Sequence, residues 1–262
     1  MGKVFLIVTV GPDYRLLPRF LEYYIKSGIE KFLVILNTKD REAHRILSLH
    51  GLSSVYTWTD TFSEDTKQRI EREIINQECS YKDWIVYTDV DEFQYYPEGL
   101  IESIYMADNA DYDYIEGRLL DRVSCTGELR DLDPENKLET QFPLGGYITA
   151  PLLNAWDKKI VAARKNKIVG GGHHIFLDET SLNTLPYNVR ISGPYKDIAI
   201  NHFKWDSHVL NRMKKYLKLK DDSLQAWRKE ISSFLEYYSI KSRIDVTDAK
   251  FNFSEVAYDL NI

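Results

Sequence analysis

Three carboxylates within four residues, Asp89, Asp91 and Glu92, follow directly on an apolar run, Trp84-Ile85-Val86-Tyr87-Thr88. So short a run of β-branched and aromatic residues reads as a buried strand. Residues two apart share one side of a strand, so Asp89 and Asp91 face one way and Glu92 the other. If the backbone already turns there, all three fan around one point at the strand's C-terminal end. Carboxylates this close repel unless something positive sits among them. An all-oxygen set suits a hard divalent cation, Mn²⁺ or Mg²⁺, anchored by Asp89 and Asp91. The competing reading is an acidic turn that merely closes a strand. A metal with few protein ligands takes the rest from phosphates, which points to a nucleotide-diphosphate sugar whose departing diphosphate the ion stabilises.

Further side chains fit the same chemistry. His202 and Lys204 follow a short apolar strand and share a side of it; His202 suits a metal shell and Lys204 a diphosphate charge. Gly170-Gly171-Gly172-His173-His174 lets the backbone approach a ligand, with one of the two histidines facing it. Asp121, at the end of a later strand, is the candidate base for an acceptor hydroxyl, with Asp157 as a second choice. Thr9, Asp13, Arg15, Asn37 and Asp60 fall at or just after strand ends, and Lys67 on a helix; these are the nucleotide candidates. Each has an ordinary alternative as a polar turn, loop or helix-surface residue.

The elements that must position these residues alternate. Val4–Val10, Lys31–Leu36, Val55–Thr57 and Trp84–Thr88 read as strands. Leu16–Ser27, a segment ending near His50, and Ser63–Glu78 read as helices, the last with Ser63 as N-cap. Alternation of this kind implies a parallel sheet with right-handed crossovers, whose strand ends converge on one edge. Gly-x-Gly-x-x-Gly after the first strand and the Gly-Lys-Ser/Thr of a P-loop are both missing, which excludes the usual dehydrogenase and P-loop signatures. A helix over Pro97–Ala107 and a strand over Tyr112–Arg122 follow. Next come a loop over 128–142, two strands around Lys159–Arg164 and Ile168–Val169, and turns over 178–196. A strand over Ile198–Ile200 and helices over Ser207–Leu219 and Ser223–Ile240 complete the chain. The expectation is one domain, 1–262: a nucleotide-binding part (1–96), an acceptor part (97–206) and C-terminal helices (207–262).

Composition sets outer bounds. The chain has 262 residues, 44% hydrophobic and 28% charged, enough for a substantial core. A formal charge of −6 argues against nucleic acid as a partner. Two cysteines, Cys79 and Cys125, form neither a metal motif nor a disulfide framework, so a reducing, cytoplasmic setting is expected. Gly11-Pro12-Asp13 cuts short the first apolar run, which therefore reads as a strand and not as a signal peptide. No stretch is long enough to span a bilayer; the lysines of 214–220 leave peripheral membrane contact open.

Together these residues resemble a known family. The loop and aromatic helix Phe20-Leu21-Glu22-Tyr23-Tyr24, Gly28-Ile29 and the strand ending at Asn37 look like the opening of GT-A glycosyltransferases of the family-two group. Asp89-Val90-Asp91-Glu92-Phe93 is similar to their Asp-X-Asp motif. Lys158-Lys159-Ile160-Val161, His173-His174 and Asn201-His202-Phe203-Lys204-Trp205 are similar to later landmarks. The resemblance implies a GT-A, Rossmann-like, three-layer α/β sandwich with a mostly parallel central sheet and C-terminal helices. It implies a nucleotide-sugar donor (a UDP-sugar favoured), Mn²⁺ or Mg²⁺ at Asp89, Asp91 and His202, a glycan or lipid-linked acceptor, and inversion at the anomeric carbon. The Glu-Asp pair in which such enzymes often carry their base has no counterpart in this chain, which leaves Asp121. The alternatives are a nucleotidyltransferase and a non-catalytic carbohydrate-binding protein on the same scaffold.

Overall fold

A computed structural model describes residues 2–178, 195–218 and 225–261. In chain order its elements are β1 (Val4–Val10), α1 (Leu17–Lys26), β2 (Lys31–Leu36), α2 (Arg41–Leu49), β3 (Ser54–Thr57), α3 (Glu64–Glu78), β4 (Trp84–Tyr87), β5 (Glu92–Tyr95) and α4 (Leu100–Asn109). Then follow β6 (Tyr114–Val123), α5 (Leu138–Gln141), β7 (Leu144–Gly146), α6 (Thr149–Leu153), β8 (Lys158–Arg164), β9 (Ile168–Gly170), β10 (Ile175–Leu177) and β11 (Tyr195–His202). Helices α7 (Val209–Leu217) and α8 (Gln225–Lys241), a 3₁₀ turn (Ala249–Phe251) and β12 (Ser254–Glu255) complete it.

The chain forms two compact units, Met1–Arg118 with Lys158–Ala199, and Leu119–Asp157 with Ile200–Ile262. The backbone therefore passes between them three times, after Arg118, Asp157 and Ala199.

In the first unit, β3, β2, β1 and β4 lie side by side and parallel. Strands in this setting are covered on both faces, and β1, β2 and β4 are accordingly near-continuous apolar runs. Strand β8 then pairs antiparallel with β4, Trp84 opposite Arg164 and Val86 opposite Ala162. This register brings the start of β8 beside the C-terminal end of β4. The first half of β6 closes on β8. Helix α1 starts with Pro18 in its first turn and buries Leu17, Phe20, Leu21, Tyr23 and Tyr24. Helix α3 is capped by Ser63, whose hydroxyl accepts from the Thr66 N–H, as the sequence predicts. The core joins Ile7, Ile35, Ile70, Ile74, Ile85 and Tyr87.

In the second unit the end of β6, β7 and β12 pair antiparallel. Helices α6, α7 and α8 contribute Leu153, Met213 and Phe234 to a core that also holds Trp205 and Phe251. The whole is an α/β sandwich of the GT-A, Rossmann-like type, as expected, with its parallel strands gathered from β3 to β4.

Some expectations shift. Strand β4 stops at Tyr87, and Glu92–Tyr95 forms a strand that the local pattern does not announce, so the acidic residues sit in a β4–β5 turn. The helix expected from Pro97 starts at Leu100, behind a Pro97–Gly99 turn. The loop over 128–142 contains the one-turn helix α5. Most of the turns expected over 178–196, the end of the helix placed over Ser207–Leu219, and the start of the one placed at Ser223 lie outside the described residues.

Candidate active site

The β4–β5 turn is staked from beneath. The Tyr24 hydroxyl of α1 meets Thr88 Oγ1 at 3.2 Å and donates to the Glu92 carbonyl at 3.1 Å. Thr88 Oγ1 reaches the same carbonyl at 3.1 Å, and the Gln94 N–H donates to Tyr24 Oη. The Glu92 N–H closes the turn onto the Asp89 carbonyl at 3.0 Å. With the backbone turning at this point, Asp89 and Glu92 point to a shared partner, the fan of carboxylates that strand alternation alone would have split.

That partner is an ammonium group. Lys159, second residue of β8, lies 2.8 Å from Asp89 Oδ2 and 2.6 Å from Glu92 Oε1. Lys67 of α3 approaches the other oxygen, Asp89 Oδ1, at 3.0 Å, with Glu71 Oε1 one helical turn on at 4.0 Å. Both lysine side chains are about 5–6% exposed, and that of Asp89 is 34% exposed. Burial alone would lower the Lys67 pKa, but Asp89, Glu64 and Glu71 carry it well above the usual lysine range. Lys159 is raised in the same way by Asp89 and Glu92. Burial alone would raise Asp89, yet Lys159 and Lys67 hold it well below the usual carboxylate range. All three groups are therefore ionised at neutral pH.

A second buried pair adjoins the first. Glu71 Oε2 lies 3.3 Å from Nε2 of His173, and Glu71 Oε1 accepts from Thr9 Oγ1 at 3.2 Å. Glu71 is lowered by Lys67 and His173 against the upward push of its burial. The neighbouring His174 turns elsewhere: its Nδ1–H donates to the Lys158 carbonyl at 2.6 Å, and burial with the Lys159 charge lowers its pKa to about 3.

Of the sequence-predicted residues of this unit, Thr9, Lys67 and Asp89 join the cluster, and Asp91 follows Asp89 in the same turn. The others serve their own loops. Arg15 pairs with Asp13 through two 2.8 Å bonds. The Asn37 amide donates to the Asp60 carbonyl at 3.0 Å, tying the end of β2 to the segment after β3. Sequence reasoning missed Lys159 as the partner of Asp89, and Glu71 altogether. A signal for Glu71 existed: Lys67 and Glu71 share the buried stripe of α3 with Ile70 and Ile74, where a surface pair has no place.

The second unit holds Asp121, His202 and Lys204. Asp121 is fully buried and accepts from the Ile148 and Thr149 N–H groups at 2.9 Å, Trp205 Nε1 at 2.8 Å and His202 Nδ1 at 3.0 Å. Burial would raise its pKa, but the His202 and Trp205 hydrogen bonds bring it below the usual range. A general base needs a pKa near working pH and a lone pair to offer. Asp121 has neither, so its role is corrected from base to positioning residue for His202 and Trp205. Lys204 Nζ stands over the Trp205 ring at 5.5 Å. Asp157 lends its backbone carbonyl to the Leu119 N–H.

The expected metal fits poorly. Each oxygen of Asp89 already faces an ammonium, so an ion bound there would meet two positive charges. Among the described residues, no three His, Cys, Asp or Glu side chains converge as a metal shell. The positive charge that the acidic turn requires is supplied by lysine. Nor, among the described residues, is any helix long and apolar enough to cross a membrane.

Fold and turn together define an α/β protein of GT-A type with a buried, lysine-balanced acidic cluster in its first unit. No family model matches the chain, and no curated protein matches it. Among solved structures it is similar to a 4-diphosphocytidyl-2C-methyl-D-erythritol synthase, at 12% identity over 63% of this chain and 76% of that one, with a TM-score of 0.39. It is also similar to a CMP:2-keto-3-deoxy-manno-octonic acid synthetase complexed with CTP, at 12% identity over 90% and 86%, with a TM-score of 0.34. Likenesses this distant name no activity for the chain.

Proposed function

We propose that this protein transfers a sugar from a nucleotide-diphosphate sugar to an acceptor hydroxyl, and that the donor binds along the strand-end edge on which the β4–β5 turn lies. One observation carries the reading: Asp89 lies past the C-terminal end of β4, beside the ends of β1 and β2, in a cluster of buried ionised groups. Open α/β sheets bind ligands at this edge. Buried charges set against one another at a strand end are expensive for stability alone and mark functional sites. The two ammonium groups hold Asp89 in one orientation, and the Tyr24–Thr88 bonds hold the turn beneath it. Transfer with inversion to a glycan or lipid-linked hydroxyl is the reaction this reading favours.

The test is a thermal-shift panel of nucleoside diphosphates and nucleotide sugars, each in EDTA, Mg²⁺ and Mn²⁺. A ligand at 100 times its Kd stabilises by about 2.7 kcal/mol, a rise of several degrees for a chain this long. A shift with one nucleotide sugar, followed by release of the nucleoside diphosphate on turnover, supports the reading. Turnover of a nucleoside triphosphate with release of pyrophosphate replaces it with nucleotidyl transfer. No shift with any nucleotide, in folded protein, overturns it.

A further inference from the structure

A cavity of about 60 Å³ lies within the first unit, between α3 and the β8–β9 turn. Space of that size holds roughly four to six water molecules, or one compact polyatomic ion. Glu71 and Arg72 reach it from α3, Tyr87 from the end of β4, and Lys165 and Lys167 from the turn. Ile75 and Val169 supply apolar wall. The turn is fixed where it stands: the Lys165 N–H donates to the Asp83 carbonyl and the Lys167 N–H to the Arg164 carbonyl, both at 2.9 Å. Strand β8 runs away from the acidic turn, with Lys159 at its start and Lys165 just past its end. The two lysines are therefore separated by roughly 20 Å of extended chain.

Two observations define what would occupy the cavity. The first is charge. Lys167 is balanced by Asp113 at 3.3 Å, but among the described residues neither Arg72 nor Lys165 has an ion-pair partner. Cations gathered without counter-charge repel, and an anion between them removes that penalty. The second is the Tyr87 hydroxyl. Tyr87 is 3% exposed, and among the described residues its hydroxyl makes no hydrogen bond. Buried tyrosine hydroxyls ordinarily have a partner. Burial and the Glu71 charge hold this one protonated, well above the usual tyrosine range, so it offers a hydrogen and lacks an acceptor.

Glu71 adds selectivity. Its oxygens already accept from Thr9 at 3.2 Å and meet His173 at 3.3 Å, and its charge faces Lys67. A carboxylate has about four lone-pair sites, so it can accept once more. An occupant made only of acceptors would repel it, whereas one that keeps an O–H can donate to it. Inorganic phosphate is still protonated at neutral pH; sulfate is not. We propose that this cavity is a binding site for inorganic phosphate, held by Arg72, Lys165, Lys167 and the Tyr87 hydroxyl and told apart from sulfate by an O–H donated to Glu71. The site goes beyond the glycosyl-transfer reading and does not depend on it.

Calorimetric titration of the full chain with sodium phosphate, and with sodium sulfate at matched ionic strength, tests this in wild type, Tyr87→Phe and Arg72→Gln. Tyr87→Phe removes only an oxygen that holds no described residue, and Arg72 is half-buried on a helix, so both variants are expected to fold. Wild type is expected to bind one phosphate per chain, and sulfate about tenfold more weakly or less. Each variant loses one hydrogen bond to a charged ligand, so each is expected to weaken phosphate binding about tenfold. The rise in melting temperature, followed up to about 50 mM phosphate, is expected in the same order. No heat and no rise with phosphate leaves a cavity that holds water alone and overturns the inference. Phosphate affinity unaltered in either folded variant places the ion elsewhere and also overturns it. Sulfate bound as tightly as phosphate does the same, as does unfolding of both variants.

Discussion

Asp89→Asn separates a structural ion pair from a waiting metal ligand by the sign of one stability change. The substitution keeps the shape of the side chain and removes its charge. In the structure that charge faces Lys159 at 2.8 Å and Lys67 at 3.0 Å, both nearly inaccessible to water. Removing one partner of a buried ion pair costs about 3–5 kcal/mol, because the other charge is stranded. Two features place this case at the lower end. The Asp89 carboxylate is 34% exposed, so solvent screens part of the interaction, and each lysine keeps a second carboxylate, Glu92 or Glu71. The expected loss is about 3 kcal/mol, or about 6–12 °C in Tm for a chain of this size. The assay is calorimetric melting of both proteins in EDTA. If Asp89 were instead one of several mutually repelling carboxylates awaiting a cation, the substitution would relieve repulsion. A D89N protein that melts at or above wild type in EDTA refutes the lysine-balanced cluster.

Asp121 gives a pH prediction. Its folded pKa lies below that of a free aspartate, about 3.9, so the unfolded chain takes up the proton first. Its stabilising contribution is therefore complete above about pH 5 and is lost as pH falls through 3.9 toward the folded value. Asp121→Asn should lower stability at pH 7 and flatten that part of the acid limb, as read by urea unfolding across pH 3–7. Gly127 has φ +72°, and a Cβ there would come 1.8 Å from the Ile244 carbonyl oxygen. Gly127→Ala should destabilise by about 3 kcal/mol or more, and a melting temperature within 2 °C of wild type would contradict the packing of that turn.

Much of the fold was legible because its signals are local. The apolar runs of β1, β2 and β4 announce strands buried on both faces, and Ser63 announces the start of α3. The acidic turn was legible too, down to its need for a positive charge. The source of that charge was not, because Lys67 lies 22 residues before Asp89 and Lys159 lies 70 after it. Nothing in the local pattern says which distant cation arrives, and a metal ion was the simplest candidate. Asp121 was misread for the same reason. A strand-end aspartate looks available until Trp205 and the Thr149 amide, far along the chain, are seen to occupy it. The glycine run before His173 advertised an unusual backbone, but the burial of that imidazole against Glu71 is a property of the folded protein alone.

The three backbone passages, after Arg118, Asp157 and Ala199, set how the protein can be dissected. Neither unit is a continuous segment: the second is an insertion within the first joined to the C-terminal tail. Truncation at any single position therefore removes part of one unit or leaves both incomplete, and cloning either alone means splicing distant segments through new linkers. Synthesis from the ribosome meets the same constraint. Strand β4 emerges well before β8, so Asp89 waits about seventy residues of translation for Lys159. Until then the cluster lacks one of its two lysines, and folding of the first unit has to await most of the chain.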